Sequence, residues 1–373
     1  MGKPGYRLAL FATLLAVMVV LLGAYTRLTH AGLGCPDWPG CYGFLAVPMS
    51  EHQQALAEVR FPEAPVEVAK GWYEMIHRYF AGSLGLAILG LAAQALRRRG
   101  EPGQPLKLPL LLLGLVILQG AFGMWTVTLK LWPQVVTGHL LGGFATLSLL
   151  FLLTLRLSGA AAPLPGLSAR LRSLAALGLL LVIGQIALGG WVSSNYAAVA
   201  CVDLPTCHGE WWPAMDFANG FHLTQHIGPN YLGGQLDSDA RTAIHMSHRL
   251  GALALTLVLL LLAWQLRRAG LSRLAGLLLL ALGVQISLGI GNVVFHLPLV
   301  LAVAHNAGGA LLLLTMVLVN YRVRLNSRRS GRPVFDAALS RNKLCRSQLA
   351  AVRRSDDAFD QQISPERRIA SKD

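Results

Sequence analysis

Four histidines lie in long apolar segments of this chain, at positions that suit metal binding. Each is one to two helical turns from one end of its segment, so helices would place the four imidazoles at a similar depth. Two imidazoles on facing helices are the axial ligand set of a six-coordinate haem iron. Two alternatives stay open: hydrogen bonding between membrane helices, and a zinc site, which would need a further ligand such as Glu74 or His245. The four histidines are His77, His139, His248 and His305.

The chemistry-bearing residues are duplicated along the chain at an offset of 166 residues. The matched pairs are Cys35/Cys201, Asp37/Asp203, Cys41/Cys207, Gln119/Gln285, Gly123/Gly289 and His139/His305. The pair His77-Arg78 matches His248-Arg249 at an offset of 171, as loops that differ by five residues would give. Self-similarity at one offset indicates a fold used twice, with two versions of one site.

The apolar residues fall mostly in runs of about 18 to 25, long enough to cross a hydrocarbon core as helix. With 54% hydrophobic and 13% charged residues, the composition predicts an all-α polytopic membrane protein. We predict eight transmembrane helices, arranged as two pseudo-symmetric four-helix bundles, 1–160 and 161–325. Residues 326–373 are predicted to form a disordered basic tail. The predicted spans are 7–27, 72–96, 106–127, 134–156, 172–193, 242–266, 273–293 and 299–321.

Basic residues are concentrated on one side of these predicted spans. That side carries 25 Lys+Arg against 7 Asp+Glu, while the other carries 7 against 11, which together give the net charge of +14. The positive-inside rule assigns the basic side and both termini to the cytoplasm of a cell (inner) membrane. The haem sites would then lie near the outer face. The charge reflects membrane topology, so nucleic acid is not an expected partner.

Glu74 breaks the symmetry between the halves. A carboxylate near the start of a membrane helix is costly and commonly functional, and its i,i+3 spacing places it on the helix face of His77. The second half has His245 at the equivalent position. A structural alternative is that Glu74 caps its helix or pairs with Arg78.

Two further assignments around the histidines have alternatives. Arg78 and Arg249 directly follow two of the predicted ligands, where haem propionates would emerge; they could bind those carboxylates or extend to the interface as snorkelling side chains. His245 shares a helix face with His248 and could be the ligand in its place. The repeat favours His248, because His248-Arg249 matches His77-Arg78.

Six segments in order resemble the haem A synthase family, over residues from about 5 to 322. The resemblance implies an oxidoreductase that converts a methyl group of haem O to the formyl group of haem A for terminal oxidase assembly, with water as the oxygen source. It implies that His77 and His139 flank the substrate haem, with Glu74 as the catalytic carboxylate. It also implies that His248 and His305 ligate a resident haem b that passes electrons outward. The segments are 32–41, 74–78, 119–127, 138–139, 245–249 and 304–305.

The paired cysteines resemble one branch of that family, in which they form disulfides. The predicted links are Cys35 to Cys41 and Cys201 to Cys207, since each loop is short and faces an oxidising compartment. Four free or metal-binding thiols are the alternative. The long loop at 194–240 departs from the family pattern, and we interpret it as a lid or a partner-facing loop, with a metal site at His208, His222 and His226 as the alternative.

Two other functions fit a di-haem membrane protein: a b-type electron-transfer subunit without a substrate haem, and a haem carrier. Glu74 favours the enzyme, because an electron carrier has no evident need for a carboxylate on one side only. The expected partners are haem O, haem O synthase, terminal oxidase assembly factors and membrane lipid. A homo-oligomer is also compatible with the sequence.

Overall fold

A computed structural model describes residues 3–159 and 167–325 of the chain. Within these residues the protein forms ten α-helices and no β-strand. The helices are α1 (Tyr6–Leu28), α2 (Glu51–Arg60), α3 (Val68–Arg97), α4 (Lys107–Thr128), α5 (Pro133–Ser158), α6 (Ala169–Ser194), α7 (Phe217–Gly220), α8 (Ser238–Arg268), α9 (Ser272–Val294) and α10 (Leu299–Arg324). The predicted tail and the predicted boundary between halves at 160 and 161 lie outside the described residues.

Eight of these helices are long and apolar enough to cross a membrane, which confirms the predicted all-α architecture. Helices α3 and α8 begin at Val68 and Ser238, about one turn before the predicted starts. Both first turns contain polar residues, so apolarity alone does not reveal them. In α8 the Asp237 side chain caps the helix by accepting a hydrogen bond from the backbone N–H of Ala240 at 2.9 Å, a standard way to satisfy the free amides of a first turn.

The helices pack by the same scheme in both halves. In the first half, α1 packs against α3 and α5, and α4 packs against α3 and α5. In the second half, α8 packs against α6 and α9, while Asn320 of α10 donates a hydrogen bond to the carbonyl of Ala175 on α6. These contacts are those that two four-helix bundles would make.

The tightest packing lies away from the histidines. Large side chains that are fully buried follow α5 and α8 at helical spacing, at positions 147, 150, 153 and 157 of α5 and 259, 262 and 266 of α8. Lipid offers no hydrophobic drive for helix association, so close van der Waals contact of such side chains stabilises the bundle. The opposite ends of the helices are richer in glycine around the histidines, and the site lies there.

Two disulfide loops lie at that same end, called here the disulfide side. The bonds Cys35–Cys41 and Cys201–Cys207 each close a loop within one half, as predicted. Asp37 accepts hydrogen bonds from the backbone N–H groups of Tyr42 and Gly43, at 2.6 and 2.8 Å. The repeat therefore extends to the internal hydrogen bonding of the loops, because Asp203 makes the equivalent contacts in the second.

The halves meet through residues at equivalent positions of the repeat. Arg27 donates hydrogen bonds to the Tyr196 hydroxyl and to the Ser193 carbonyl, both at 2.6 Å. The His30 ring stacks on the Tyr196 ring, with centroids 5.5 Å apart. Since Ser193 and Tyr196 are offset by 166 residues from Arg27 and His30, these contacts join equivalent positions of the repeat.

Candidate haem and carboxylate site

His77 and His139 face each other in the first half. Their ring centroids are 6.4 Å apart, and the ring planes are nearly perpendicular. Both Nδ1 atoms are buried and lack a hydrogen-bond partner among the described residues. The separation leaves room for one metal ion between two imidazoles, whose metal–nitrogen bonds are each about 2 Å long. The two rings therefore fit the axial positions of a haem iron.

The histidines of the second half contact glutamine side chains. Gln185 Nε2 donates a hydrogen bond to the His248 carbonyl at 2.8 Å and lies 3.0 Å from His248 Nδ1. Gln285 Nε2 lies 3.3 Å from His305 Nε2. Polar side chains in a membrane are retained where such contacts satisfy them. The two halves thus hold their histidines differently.

Each histidine also lies against a glycine of a neighbouring helix. A Cβ atom built on any of the four glycines would lie 3.0 to 3.5 Å from the Cε1 atom of the facing imidazole. A larger side chain would therefore crowd the ring, so each glycine makes room for the imidazole of the neighbouring helix. The facing pairs are Gly23/His77, Gly123/His139, Gly189/His248 and Gly289/His305.

The small residues that follow His139 and His305 pack against glutamine side chains. A Cβ atom on Gly142 would collide with the Gln119 side chain, and one on Gly308 would collide with Gln285. These glycines make room for glutamines of the neighbouring helix. Gly143, by contrast, has no heavy atom of the described structure within 4 Å of its Cβ position.

Glu74 lies at the centre of a hydrogen-bonded cluster beside His77. Its side chain is 4% exposed; Oε1 is 2.5 Å from Arg78 Nη2, and Oε2 accepts a hydrogen bond from the Cys35 N–H at 2.9 Å. Helix α3 begins at Val68, so Glu74 does not cap it. The salt bridge expected under the structural alternative is present, and it holds the carboxylate next to the histidine.

Arg78 connects this cluster to the first disulfide loop. Its Nη1 donates to the carbonyls of Asp37 and Gly40, at 3.0 and 2.5 Å. Arg249 repeats the arrangement, donating to the carbonyls of Asp203 and Thr206, both at 2.9 Å. The guanidinium groups thus fix the loops above the histidines. A haem propionate that binds either arginine has to share the guanidinium with these carbonyls.

His245 occupies the place of Glu74 in the second half. The side chain is 6% exposed, and its Nδ1 has no hydrogen-bond partner within the described ranges. Without a carboxylate at this position, Arg249 lacks the intrahelical ion pair that Arg78 makes. The two halves therefore share the arginine-to-loop contacts and differ in the group beside the histidine.

The second disulfide loop has a strongly stabilised carboxylate. The Gly209 N–H and the Thr206 hydroxyl hold the pKa of Asp203 well below its ordinary value, at about 2. The distances from the Asp203 carboxylate are 3.0 Å to Gly209 N and 2.7 Å to Thr206 Oγ1. Asp203 is therefore ionised at any physiological pH and organises the loop above His248.

The long loop of the second half reaches over the first half. Trp132 Nε1 donates to the Gln225 carbonyl at 3.1 Å, and Gln134 Nε2 donates to the Leu223 carbonyl at 2.9 Å. The Tyr231 N–H donates to the Lys130 carbonyl at 3.0 Å. These contacts place the segment over the start of α5, the helix that carries His139, which is where a lid would lie.

The metal alternative for this loop finds no support in its geometry. His208 Nε2 lies 2.7 Å from the Ala200 carbonyl, and His222 Nε2 lies 2.9 Å from the Thr224 hydroxyl. Throughout the described residues, no three of the His, Cys, Asp and Glu side chains are grouped as a metal site would require. A haem iron takes only two protein ligands, so the lack of groups of three does not argue against haem binding by the paired histidines.

Sequence reasoning missed the residues that hold the histidines. The glycines beside the imidazoles and the glutamine at 185 were not identified as part of the site. Gln119/Gln285 and Gly123/Gly289 were visible in the repeat, but their role depends on packing between helices. A glutamine four residues before a glycine, in three of the helices, is the signal that could have found them.

Comparison of the whole chain with known proteins shows its family. The sequence model of COX15-CtaA, described as a cytochrome oxidase assembly protein, matches residues 6–317. The chain belongs to the COX15-CtaA family. A haem A synthase of Shewanella oneidensis is 50% identical over 317 residues, which cover 84% of this chain and 94% of that protein. The similarity to COX15-CtaA thus reaches all eight spans.

More distant relatives of this COX15-CtaA chain have the same description. A haem A synthase of Mesorhizobium japonicum is 31% identical, over 84% of this chain and 88% of that protein. A haem A synthase of Nitrosospira multiformis is also 31% identical, over 83% of this chain and 90% of that protein. The similarity is not confined to one half, as a function that uses both halves would require.

Proposed function

We propose that this protein is a haem A synthase, an integral membrane oxidoreductase that oxidises a methyl group of haem O to the formyl group of haem A for terminal oxidase assembly. The relatives support the activity, since one that is 50% identical over 94% of its own length carries that description. The observation that carries the proposal is a buried carboxylate, Glu74, beside one histidine pair and absent from the other.

The first half is the substrate half in this proposal. His77 and His139 hold the substrate haem between their rings, and Glu74 lies on the face of His77 at the reacting side. Replacing a methyl by a formyl group with oxygen from water releases four protons and four electrons. A buried carboxylate can accept such protons or stabilise positive charge at the reacting carbon.

The second half holds a resident haem b between His248 and His305. When bound, such a haem would supply one-electron transfer, which the oxidation of the substrate requires. Gln185 and Gln285 orient the two ligands, and Arg249 holds the loop above them. His245 offers no carboxylate, so this half lacks the group that would handle protons.

The orientation of the protein follows the positive-inside rule. The disulfide side faces outward from the cell membrane, both termini are cytoplasmic, and both haem sites lie near the outer face. Disulfides persist on that side, since the compartment is oxidising. The lid segment over α5 would then separate the substrate half from the outer solution.

Pigment analysis of cells tests the proposed reaction. A cell in which this gene is deleted should lack haem A and retain haem O, and the full-length chain should restore haem A. Purified protein should yield haem b together with haem O or a formyl-bearing haem. Deleted cells that still make haem A, or purified protein with haem b in both halves, would contradict the proposal and favour an electron carrier.

A further inference from the structure

The four histidines share one local packing arrangement, which occurs twice in each half. In each case a glycine of a neighbouring helix lies against the Cε1 atom of the imidazole. Each half contains two such helix pairs, α1 with α3 and α4 with α5 in the first, and α6 with α8 and α9 with α10 in the second. The arrangement therefore occurs four times.

Three of the four copies include a glutamine and a second glycine. The glutamine comes four residues before the glycine that faces the ring, and the second glycine comes three residues after the histidine. A Cβ atom on that second glycine would collide with the glutamine side chain, so the glutamine can reach the histidine only if the position is glycine. The three sets are Gln119/His139/Gly142, Gln185/His248/Gly251 and Gln285/His305/Gly308.

The fourth copy, around His77, has lost both residues. Val19 stands where the glutamine would be, four residues before Gly23, and Phe80 stands three residues after His77. The Val19 side chain has no polar atom, so the ring of His77 bonds to the backbone of Val19 and not to a glutamine side chain. The unpaired Nδ1 atom of His77 does not set this copy apart, because the Nδ1 atoms of His139 and His305 also lack a partner within the described structure. The copy that departs is the one beside Glu74.

The glutamine contacts are closest in the second half. Gln185 bonds to the backbone carbonyl of His248 and lies 3.0 Å from its ring nitrogen, which ties the ring to its own helix. Gln285 lies 3.3 Å from the ring of His305. Gln185 lies nearest Nδ1 of His248 and Gln285 lies nearest Nε2 of His305, so in each case the opposite ring nitrogen is the one left for a metal. A group on the nitrogen that does not bind metal fixes the ring orientation, and losing one commonly weakens metal affinity by about 10- to 100-fold.

We propose that Gln185 and Gln285 are positioning residues that keep His248 and His305 as permanent haem ligands, and that Val19 and Phe80 make His77 the releasable ligand through which the substrate haem enters and leaves. The idea rests on the proposed function, since only a half that exchanges its haem benefits from a loosely held ligand. His139 is the ligand that stays bound in this proposal, because Gln119 packs at Gly142, one turn along the helix from His139.

Exchange of the differing residues between the halves tests this proposal. Gln185→Val and Gln285→Val each replace a glutamine of the second half by a residue that cannot hydrogen-bond to the imidazole. The double variant Val19→Gln with Phe80→Gly builds the missing set around His77. Ile183→Val is the matched control, because Ile183 lies on the same helix as Gln185 and is 43% exposed.

The measurement is haem release from the purified full-length chain loaded with haem b in both halves. Transfer to excess apomyoglobin gives the rate, and low-spin electron paramagnetic resonance identifies each haem. Wild type should release one haem quickly and one slowly. Either Gln→Val variant should speed the slow phase about tenfold and shift only that haem's signal, and the double variant should slow the fast phase by a similar factor. Ile183→Val should match wild type.

Several results would overturn the proposal. They are equal release rates for both haems in wild type, a slow phase unchanged in both Gln→Val variants, and a fast phase unchanged in the double variant. If one Gln→Val protein does not fold, the other and the double variant still decide. Haem release is measured without turnover, so the two proposals can fail separately. Normal haem A synthesis with unchanged haem-release rates in the variants would refute this inference alone. Absent haem A synthesis with the expected haem-release rates would refute the proposed function alone.

Discussion

Replacing Glu74 by Gln separates a catalytic carboxylate from a structural one. The substitution keeps the size of the side chain and removes its charge. Glu74 accepts one bond on each oxygen, from Arg78 and from the Cys35 N–H, and Gln has a single acceptor oxygen, so one bond weakens and the other is lost. Hydrogen bonds to charged groups contribute about 1.5–3 kcal/mol and neutral ones about 0.5–1.5 kcal/mol, so the substitution should cost about 3 kcal/mol of stability. Arg78 keeps its loop carbonyls and is not left unpaired.

The catalytic role predicts a far larger effect on product than on stability. Loss of a general acid or base costs about 10²- to 10⁴-fold in rate, so haem A formation should nearly stop, with haem O or a partly oxidised haem accumulating. The haem at His248 and His305 should persist, since neither contacts Glu74. The assay is extraction and chromatography of haem from cells that carry each variant, with protein level measured in the same membranes.

Glu67→Gln is the matched control. Glu67 precedes α3 and pairs with Lys70 at 2.8 Å, but its side chain is 55% exposed. Exposed ion pairs contribute little, so this variant should keep both stability and product. Glu74→Gln with haem A output within about threefold of wild type would refute the catalytic assignment, because the weakest effect expected of a general base is larger.

Three more outcomes are expected. His248→Ala or His305→Ala should remove most of the resident haem spectrum while the protein still inserts; loss in His245→Ala, with retention in His248→Ala, would reverse the ligand assignment. Peptide mapping without reduction should recover both disulfides within their own loops, and a link between the loops would contradict the structure. Because the pKa of Asp203 is lowered to about 2, its contribution to stability is complete above its unfolded pKa near 4 and is lost as pH falls toward 2. Thr206→Val should move that loss to higher pH; unchanged pH dependence of amide exchange in the loop would contradict this.

Much of the fold could be predicted from the sequence, because each span is determined by its own apolar composition. The first turns of α3 and α8 could not, since they are polar and form through capping and contact with the loops. Short helix α2 was missed for a related reason: it depends on a capping box between Ser50 and Gln53 outside the apolar runs.

The candidate site was predictable where residue types were informative and not where packing decides. Histidine and glutamate are rare in membrane helices, so their positions were informative by themselves. The salt bridge of Arg78 with Glu74 was among the alternatives that the sequence offered. Its other partners, backbone carbonyls of a loop about 40 residues earlier, were not, because carbonyls leave no trace in residue type. Val19 could not be singled out from the sequence, because a valine is ordinary in an apolar helix. It is informative only by comparison with the glutamine at the equivalent position of the other three copies.

The duplication restricts where the difference between the halves can arise. The disulfide loops, the loop aspartates and the arginine contacts are the same in both, so they cannot make one half a substrate site. Among the glutamines and glycines that pack against the ligands, and at the position of the carboxylate, three differences remain: Glu74 in place of His245, Val19 in place of Gln185, and Phe80 in place of Gly251. All three surround His77, on α1 and α3. The α4–α5 pair keeps the shared arrangement around His139. The divergence is thus concentrated at one ligand of four, where a carboxylate was gained and a glutamine contact was lost. Oxidation of a substrate haem needs both a group that handles protons or charge, such as the Glu74 carboxylate, and an iron ligand, such as His77, that can dissociate to release the product.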